Sequence, residues 1–313
     1  MEDYPQTVLD FESRFATDEA CREYLVQLRW PDGFVCPRCS HRGGWLTSRG
    51  LYHCGNCGYQ VSATAGTIFE DTRKPLRLWF RAMWYMTSQK QGVSALGLQR
   101  VLGLTRYETV WKWLHKLRHA MVRPGRDRIG GIIELDEIYI GGAKTGKRGR
   151  GAIGKTLVVV AAQEDGKRIG RIRLHRVSDA SAASLMPAVE TGVEKGSVVR
   201  TDAWQGYLPL ASLGYKHLVV RKDHSVGENV LPLVNTVASL VKRWLTGTHQ
   251  GAVRPSHLDY YLDEYTFRFN RRRSKSRGKL FYRLVQQAVM VQPITGRNIR
   301  GGRLNSAEHN ILC

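Results

Sequence analysis

Four cysteines set the tightest constraint on how this chain can fold. Cys36-Pro-Arg-Cys39 is followed, after fourteen residues, by Cys54-Gly-Asn-Cys57. Two such knuckles, each running into turn-forming or polar residues, allow four thiolates to close a tetrahedron around one structural Zn²⁺. A redox dithiol is expected once and beside a βαβ unit, so the doubled arrangement points to a closed metal site. His41 and His53 flank the knuckles, but four sulfurs complete the coordination shell and leave both histidines supporting or superficial roles. The intervening GGWLTSRGLYHC has the short-strand character of a zinc ribbon, and Arg38, Arg42 and Arg49 make its surface basic.

That basic surface belongs to a wider imbalance. The 313 residues carry 48 Lys and Arg against 27 Asp and Glu, a formal charge of +21. An excess of this size points to a polyanionic partner, above all nucleic acid, because each cation placed on a phosphate releases condensed counterions. An anionic membrane surface would also attract it, yet no basic amphipathic anchor helix stands out. No apolar run approaches the roughly eighteen residues of a membrane span. The opening MEDYPQTVLDFESRF is acidic and lacks a hydrophobic signal core, so a cytoplasmic protein that makes no use of a membrane is expected.

Residues 1–30 place apolar positions at helical spacing and read as a helical lead-in, with Phe11, Phe15, Tyr24, Leu25 and Leu28 inward and Cys21 as a small buried hydrophobe. The zinc ribbon occupies 31–66, and helical patterns take over across 67–123. Pro75 opens LRLWFRAMWYMTSQ, whose Trp79, Phe80, Met83 and Trp84 read as core. ALGLQRVLG and RYETVWKWLHKLRHAM then follow, joined by a turn at Gly103, with Thr105 as N-cap and Glu108 three residues later. This is the pattern of a helix-turn-helix. A plain helical hairpin shares it, but Arg106, Lys112, Lys116 and Arg118 on the second helix suit docking in a DNA groove.

A Pro, Gly and Arg-rich linker around Pro124 to Gly131 opens the segment 129–292, and 293–313 reads as a loose tail in which Cys313 has no assigned role. IIELDEIYIGG is a buried strand with Asp136 in its middle. A lone carboxylate there can be satisfied by local backbone donors or can meet a metal. LVVVAA and residues 169–177 read as two further strands, antiparallel across the turn at Asp165-Gly166, and 180–189 as a helix. VVRTD then gives a fourth strand ending at Asp202. Three strands, a helix and a fourth strand are the order of an RNase H-like fold, in which the first and fourth strands are neighbours. Two aspartates brought together repel, and a divalent ion with hard oxygen ligands, Mg²⁺ or Mn²⁺, relieves the repulsion.

ELDEIYIGG, TDAWQGY, VASLVKRWLTGTHQG and HLDYYLDEYTFRFNRR resemble the zinc-ribbon DDE transposases of bacterial insertion sequences, the IS fifteen-ninety-five family of ISXO type. The resemblance runs from the cysteine knuckles to Asn270-Arg271-Arg272. It implies an α/β, RNase H-like core with a mixed sheet behind the zinc ribbon and helix-turn-helix. It also implies two Mg²⁺ (or Mn²⁺) ions, nicking at the terminal inverted repeats of an insertion sequence, and joining of the freed 3′-hydroxyl to target DNA. A homo-oligomer on double-stranded DNA in a bacterial, nucleoid-associated setting is the implied assembly. Such families place a Glu on the helix that follows, with a Lys seven residues later; here the matching positions are Asn235 and Lys242.

Seven residues is almost two helical turns, so Asn235, Ser239 and Lys242 share a face. The Asn carbonyl can ligate Mg²⁺ but adds no charge. Glu228 and Glu264 are alternative third carboxylates that fit the register less well, and Glu137 points to the opposite face of its strand. Lys242 and Arg243 are placed for phosphate contact. The loop bearing Lys144, Lys147, Arg148 and Arg150 reads as a phosphate grip or as a solvated hairpin tip, and no P-loop spacing is present. Arg271 and Arg272 sit in a basic run interleaved with aromatics that suits a DNA backbone track. His249 is placed near the site by the resemblance, in a secondary role. A catalytically inactive DNA-binding regulator and a structure-selective nuclease of the same fold are the alternatives, the first resting on Asn235.

Overall fold

The computed structural model describes residues 2–123, 125–141, 155–221, 229–251 and 253–302. Lys144, Lys147, Arg148 and Arg150, with Glu228 and Cys313, lie outside the described residues. The chain packs as two units, one formed by the residues up to the linker together with 273–299, the other by the segment ending at Arg272.

In the first unit, helices α1 (Val8–Arg14) and α2 (Asp18–Arg29) are each started by a threonine whose hydroxyl accepts a first-turn amide, Thr7 from Asp10 and Thr17 from Ala20. Strands β1 (Gly44–Leu46), β2 (Tyr52–Cys54) and β3 (Gln60–Val61) form a small antiparallel sheet in that order. Helices α3 (Leu76–Ser88), α4 (Ala95–Leu102) and α5 (Tyr107–Ala120) follow. Helix α4 stops at Gly103, whose φ of 63° is the left-handed conformation that closes a helix and that glycine adopts without steric cost. The residue capping α5 is Arg106, which makes no side-chain capping bond, so the expected N-cap at Thr105 is displaced by one.

The second unit is built on a five-stranded sheet of order β6-β5-β4-β7-β8, from β4 (Ile132–Ile140), β5 (Thr156–Asp165), β6 (Arg168–Val177), β7 (Val198–Thr201) and β8 (Lys216–Val219). Strand β5 is antiparallel to both of its neighbours, β4 and β6, whereas β4, β7 and β8 run parallel. The first and fourth strands of this unit are therefore neighbours, as the RNase H-like order requires. Helix α6 (Ala182–Gly192) makes the crossover between β6 and β7, and α7 (Pro232–His249) and α8 (Leu258–Asn270) follow the sheet. Alternate residues divide between two cores: Ile133, Leu135, Leu157, Val159 and Ala161 pack with α6, while Ile138, Val158, Val160 and Ala162 pack with α7 and α8. Both faces are covered, which is why these strands read as continuous apolar runs.

Helix α9 (Arg277–Ala288), expected with the catalytic segment, packs against α2, α3 and α5 of the first unit. Its Phe281 is the hub of an aromatic cluster, with the rings of Phe11, Phe15, Tyr24, Phe80 and Trp84 all 5.4 to 6.4 Å away. Large rings bury much apolar area each, so the lead-in helices and α9 are held by one core.

Candidate active site and metal centre

The parallel register of β4 and β7 pairs Ile132 with Val198, Ile133 with Val199 and Glu134 with Arg200. The pairing ends there; Asp136 lies two residues beyond Glu134 on β4, and Asp202 two residues beyond Arg200, just past the end of β7 at Thr201. Both aspartates are half-buried. Both charges also act on one phenol. Tyr207 is fully buried, and its pKa is raised well above the usual tyrosine value by burial first, then by Glu137, and then by the carboxylates of Asp136 and Asp202. Asp136 in the middle of β4 and Asp202 just past the carboxyl end of β7 thus both act electrostatically on Tyr207.

The TDAWQGY segment is shaped to hold this arrangement. The Asp202 carboxylate accepts the Trp204 amide at 3.0 Å, and the Trp204 indole donates to the Ala180 carbonyl at 2.7 Å. At Gly206 an added Cβ would lie 2.5 Å from the Ala180 carbonyl oxygen, so the close approach needs glycine. Next in the chain, the Tyr207 hydroxyl donates to Glu137 at 2.8 Å. Glu137 thus faces away from the α7 side of the sheet, as alternation requires, and its bond ties the segment after Asp202 to the residue after Asp136. Beneath Asp202, the buried Thr201 hydroxyl lies 2.8 Å from His217 Nε2 on β8.

A carboxylate that the sequence reading did not single out fixes the helix. Glu134 is 3% exposed, and its Oε2 accepts the amides of Leu233 at 2.7 Å and Val234 at 3.0 Å, at the start of α7. Burial raises its pKa, and the Val234 and Leu233 amides oppose that shift. The signal was available in part: α7 begins Leu231-Pro232 with no side-chain cap of its own, so its first amides need acceptors from elsewhere. Asn235, Ser239, Lys242 and Arg243 are exposed, while Val234, Val237, Ala238, Val241 and Leu245 are buried. The Asn235 stripe therefore borders the buried face. The Asn235 side-chain amide donates to Asn229.

Other expected residues have different occupations. Glu264 is fully buried and bonded to Arg268 at 2.8 Å on α8, a helix that packs on β6, two strands from β4. His249 packs edge-on between Trp244 and Tyr261, at 4.7 Å from each ring. Arg272 donates to the carbonyls of Gly170 and Phe269 at 3.1 and 2.8 Å and lies over the Phe269 ring, and Arg271 donates to Phe267 and lies over that ring. On α5, Lys116 Nζ donates to the Ile68 carbonyl at 3.2 Å and Arg118 is 1% exposed. Both flank an inward face of Val110, Trp113, Leu114 and Leu117, and their long stems follow it into the core. Lys112 pairs with Glu108 at 2.8 Å, and Arg106 is exposed.

The metal centre in the first unit is Cys36, Cys39, Cys54 and Cys57, whose sulfurs all lie within 4.8 Å of one another. Cys36 and Cys57 are 3.7 Å apart and Cys39 and Cys54 3.6 Å. Bonds of about 2.3 Å in a tetrahedron separate sulfurs by about 3.8 Å, so the cage has the size of a structural zinc site. The backbone amides of Cys57 and Asn56 point at the Cys54 sulfur and pull its thiol down to about 6, towards the ligating thiolate. His53 is not a ligand here: it stacks on Trp45 with ring centres 4.5 Å apart. Cys21 is fully buried, and its thiol is pushed up to about 12 by burial, then by Asp18 and Glu19, as suits an inert core residue.

Residues 128–270 match the ISXO2-like transposase domain and residues 16–60 the transposase zinc-ribbon domain. An uncharacterized protein in transposable element ISH50 of Halobacterium salinarum is 25% identical over 275 residues, covering 81% of this chain and 91% of its own. Among solved structures, a chain of the simian T-cell lymphotropic virus intasome in complex with PP2A regulatory subunit B56 gamma is 15% identical, with a TM-score of 0.32, covering 58% of this chain and 70% of that one.

Proposed function

We propose, from the premise that this chain joins a transposase of the ISXO2-like family to that family's zinc ribbon, that it nicks the ends of an insertion sequence and joins the freed 3′-hydroxyl to target DNA. The observation that carries the reading is the parallel pairing of β4, which bears Asp136, with β7, which ends just before Asp202, with the first turn of α7 anchored two residues from Asp136 on β4. Two neighbouring carboxylates and the Asn235 carbonyl are hard oxygen donors of the kind that Mg²⁺ or Mn²⁺ takes, and a pair of ions would be shared among them. Bound there, divalent ions would activate water or a 3′-hydroxyl and neutralise charge on the phosphodiester.

The chain's own residues do the positioning. Asp136 and Asp202 supply the negative charge, and the Glu137–Tyr207 bond keeps their segments together. Lys242, two turns from Asn235 on an exposed stripe, holds the phosphate of the DNA end, with Arg243 beside it. Arg106 and the zinc-ribbon surface contribute contacts to double-stranded DNA, and a homo-oligomer brings two ends together. No protein-linked covalent intermediate is needed.

Cleavage of labelled element-end DNA by the full chain with Mg²⁺ or Mn²⁺ is the test. Asp136→Ala and Asp202→Ala should each abolish it; cutting at the wild-type rate by either variant removes the assignment. Asn235 supports a second reading, a DNA-binding regulator that does not cut. Wild-type binding to end DNA with no cleavage under either metal, and cleavage gained on Asn235→Glu, would establish that reading in place of the first.

A further inference from the structure

We propose that Glu134 is a positioning residue for the reaction: from the sheet it caps α7, and so it fixes where Asn235, Ser239 and Lys242 stand relative to Asp136 and Asp202. The proposal rests on the transposase reading of this site and adds a residue to it.

An α-helix leaves its first amides without intrahelical partners, and a side chain at the N-cap ordinarily takes them. In α7 the N-cap is Leu231, which makes no such bond, and Pro232 occupies the first turn. The acceptor comes instead from a strand about a hundred residues earlier: a single oxygen of Glu134 takes the amides of Leu233 and Val234. A carboxylate 3% exposed is costly unless it is well bonded, and a negative charge at a helix N-terminus also meets the positive end of the helix dipole. Across the sheet, Arg200 pairs with Glu164 at 2.7 Å, so the cation opposite Glu134 has a carboxylate of its own.

The position of the bond gives it a catalytic meaning. Glu134 and Asp136 are two residues apart on β4 and point to the same face, about 7 Å apart along the strand. Asn235 directly follows Val234. A rotation or slide of α7 that moved Asn235 and Lys242 away from the aspartates would break both bonds to Glu134. The two hydrogen bonds therefore select one rotational setting of the helix, where apolar packing of Val234, Val237 and Val241 alone would tolerate small slides.

The test uses the full chain with labelled end DNA and Mn²⁺, alongside hydrogen exchange of the α7 amides. Glu134→Ala should speed exchange in the first turn of α7 and slow cleavage by about 100-fold, the scale of an ångström-sized misplacement. Glu134→Gln keeps an oxygen acceptor and should hold cleavage within about tenfold of wild type. Adding Asn235→Ala to Glu134→Ala should cost little more, because both act through one placement. A Glu134→Gln protein as inactive as Glu134→Ala would show that the charge acts directly, as a metal ligand would, and would overturn the capping role. Unchanged α7 exchange in Glu134→Ala would overturn it as well. If Glu134→Ala does not fold, Glu134→Asp withdraws the acceptor by one methylene and should show the faster exchange and slower cleavage; wild-type behaviour there sinks the proposal. Asp136→Ala separates the two readings: if it still cuts, the transposase assignment fails, whereas loss in Asp136→Ala with normal Glu134→Ala removes only the cap.

Discussion

Tyr207 and Glu137 show how single residues set the geometry of the acidic pair. Burial first, and then the charges of Glu137, Asp136 and Asp202, hold the phenol's proton in place, and its bond to Glu137 joins residues 70 positions apart. Tyr207→Phe removes a donor to a charged acceptor and should lower the unfolding free energy by about 1.5–3 kcal/mol, read from urea titrations. The pH sign follows from the raised phenol. The folded state binds this proton more tightly than the unfolded chain, so its stabilising contribution is complete below the ordinary tyrosine range near 10 and is lost as pH rises beyond it. Alkaline loss of stability should therefore be shallower in Tyr207→Phe than in wild type. Asn235→Glu adds a charge to the proposed ligand set and should lower the Mn²⁺ midpoint for cleavage by about tenfold or more; an unchanged midpoint would take Asn235 out of the ligand set. Asp136 and Asp202 were legible because each sits in or at the end of an apolar run that fixes its strand. Glu134 was not, since its partners lie 99 and 100 residues away and no local pattern announces them.

At the scale of elements, periodic patterns and knuckles were readable and the uses of individual cations were not. Strands β4 to β7, the turn at Gly103 and the ribbon follow from apolar runs, glycine and cysteine spacing. Lys116 and Arg118 read as a basic helix face because charge is visible in sequence, whereas the direction of a long stem beside Trp113 depends on the neighbours it meets. Helix α9 presents the same difficulty: its charge suggested a DNA track, and its Phe281 places it in the first unit's core. The zinc ribbon offers an element-scale prediction. Its sheet is three strands of 3, 3 and 2 residues, too short to persist without a staple. A strong chelator should melt β1 to β3, seen as new proteolysis between Cys36 and Val61 and loss of the Trp45 environment in fluorescence, while the five-stranded sheet keeps its far-ultraviolet signal. Persistence of the ribbon after complete zinc removal would mean that the Trp30, Phe34 and Tyr52 cluster suffices without metal.

For the whole molecule the governing quantity is the charge of +21, which acts on DNA through counterion release and so makes affinity a function of salt. A chain that neutralises about six to ten phosphates loses roughly 10³- to 10⁵-fold in affinity between about 50 and 200 mM salt; binding of the full chain to labelled duplex should fall within that range. The slope of log affinity against log salt also sorts the cations that composition cannot distinguish. Arg106 is exposed at the start of α5, and Arg106→Ala should reduce the slope by about one unit. Lys116 is committed to the Ile68 carbonyl, and burial lowers its pKa, so Lys116→Ala should leave the slope unchanged while lowering thermal stability. Arg272, held by backbone carbonyls of β6 and α8, should behave like Lys116. If Lys116→Ala and Arg272→Ala flattened the salt dependence as much as Arg106→Ala, these two side chains would have to leave their carbonyls on the DNA, and net charge alone would then be the better guide to the DNA-binding surface.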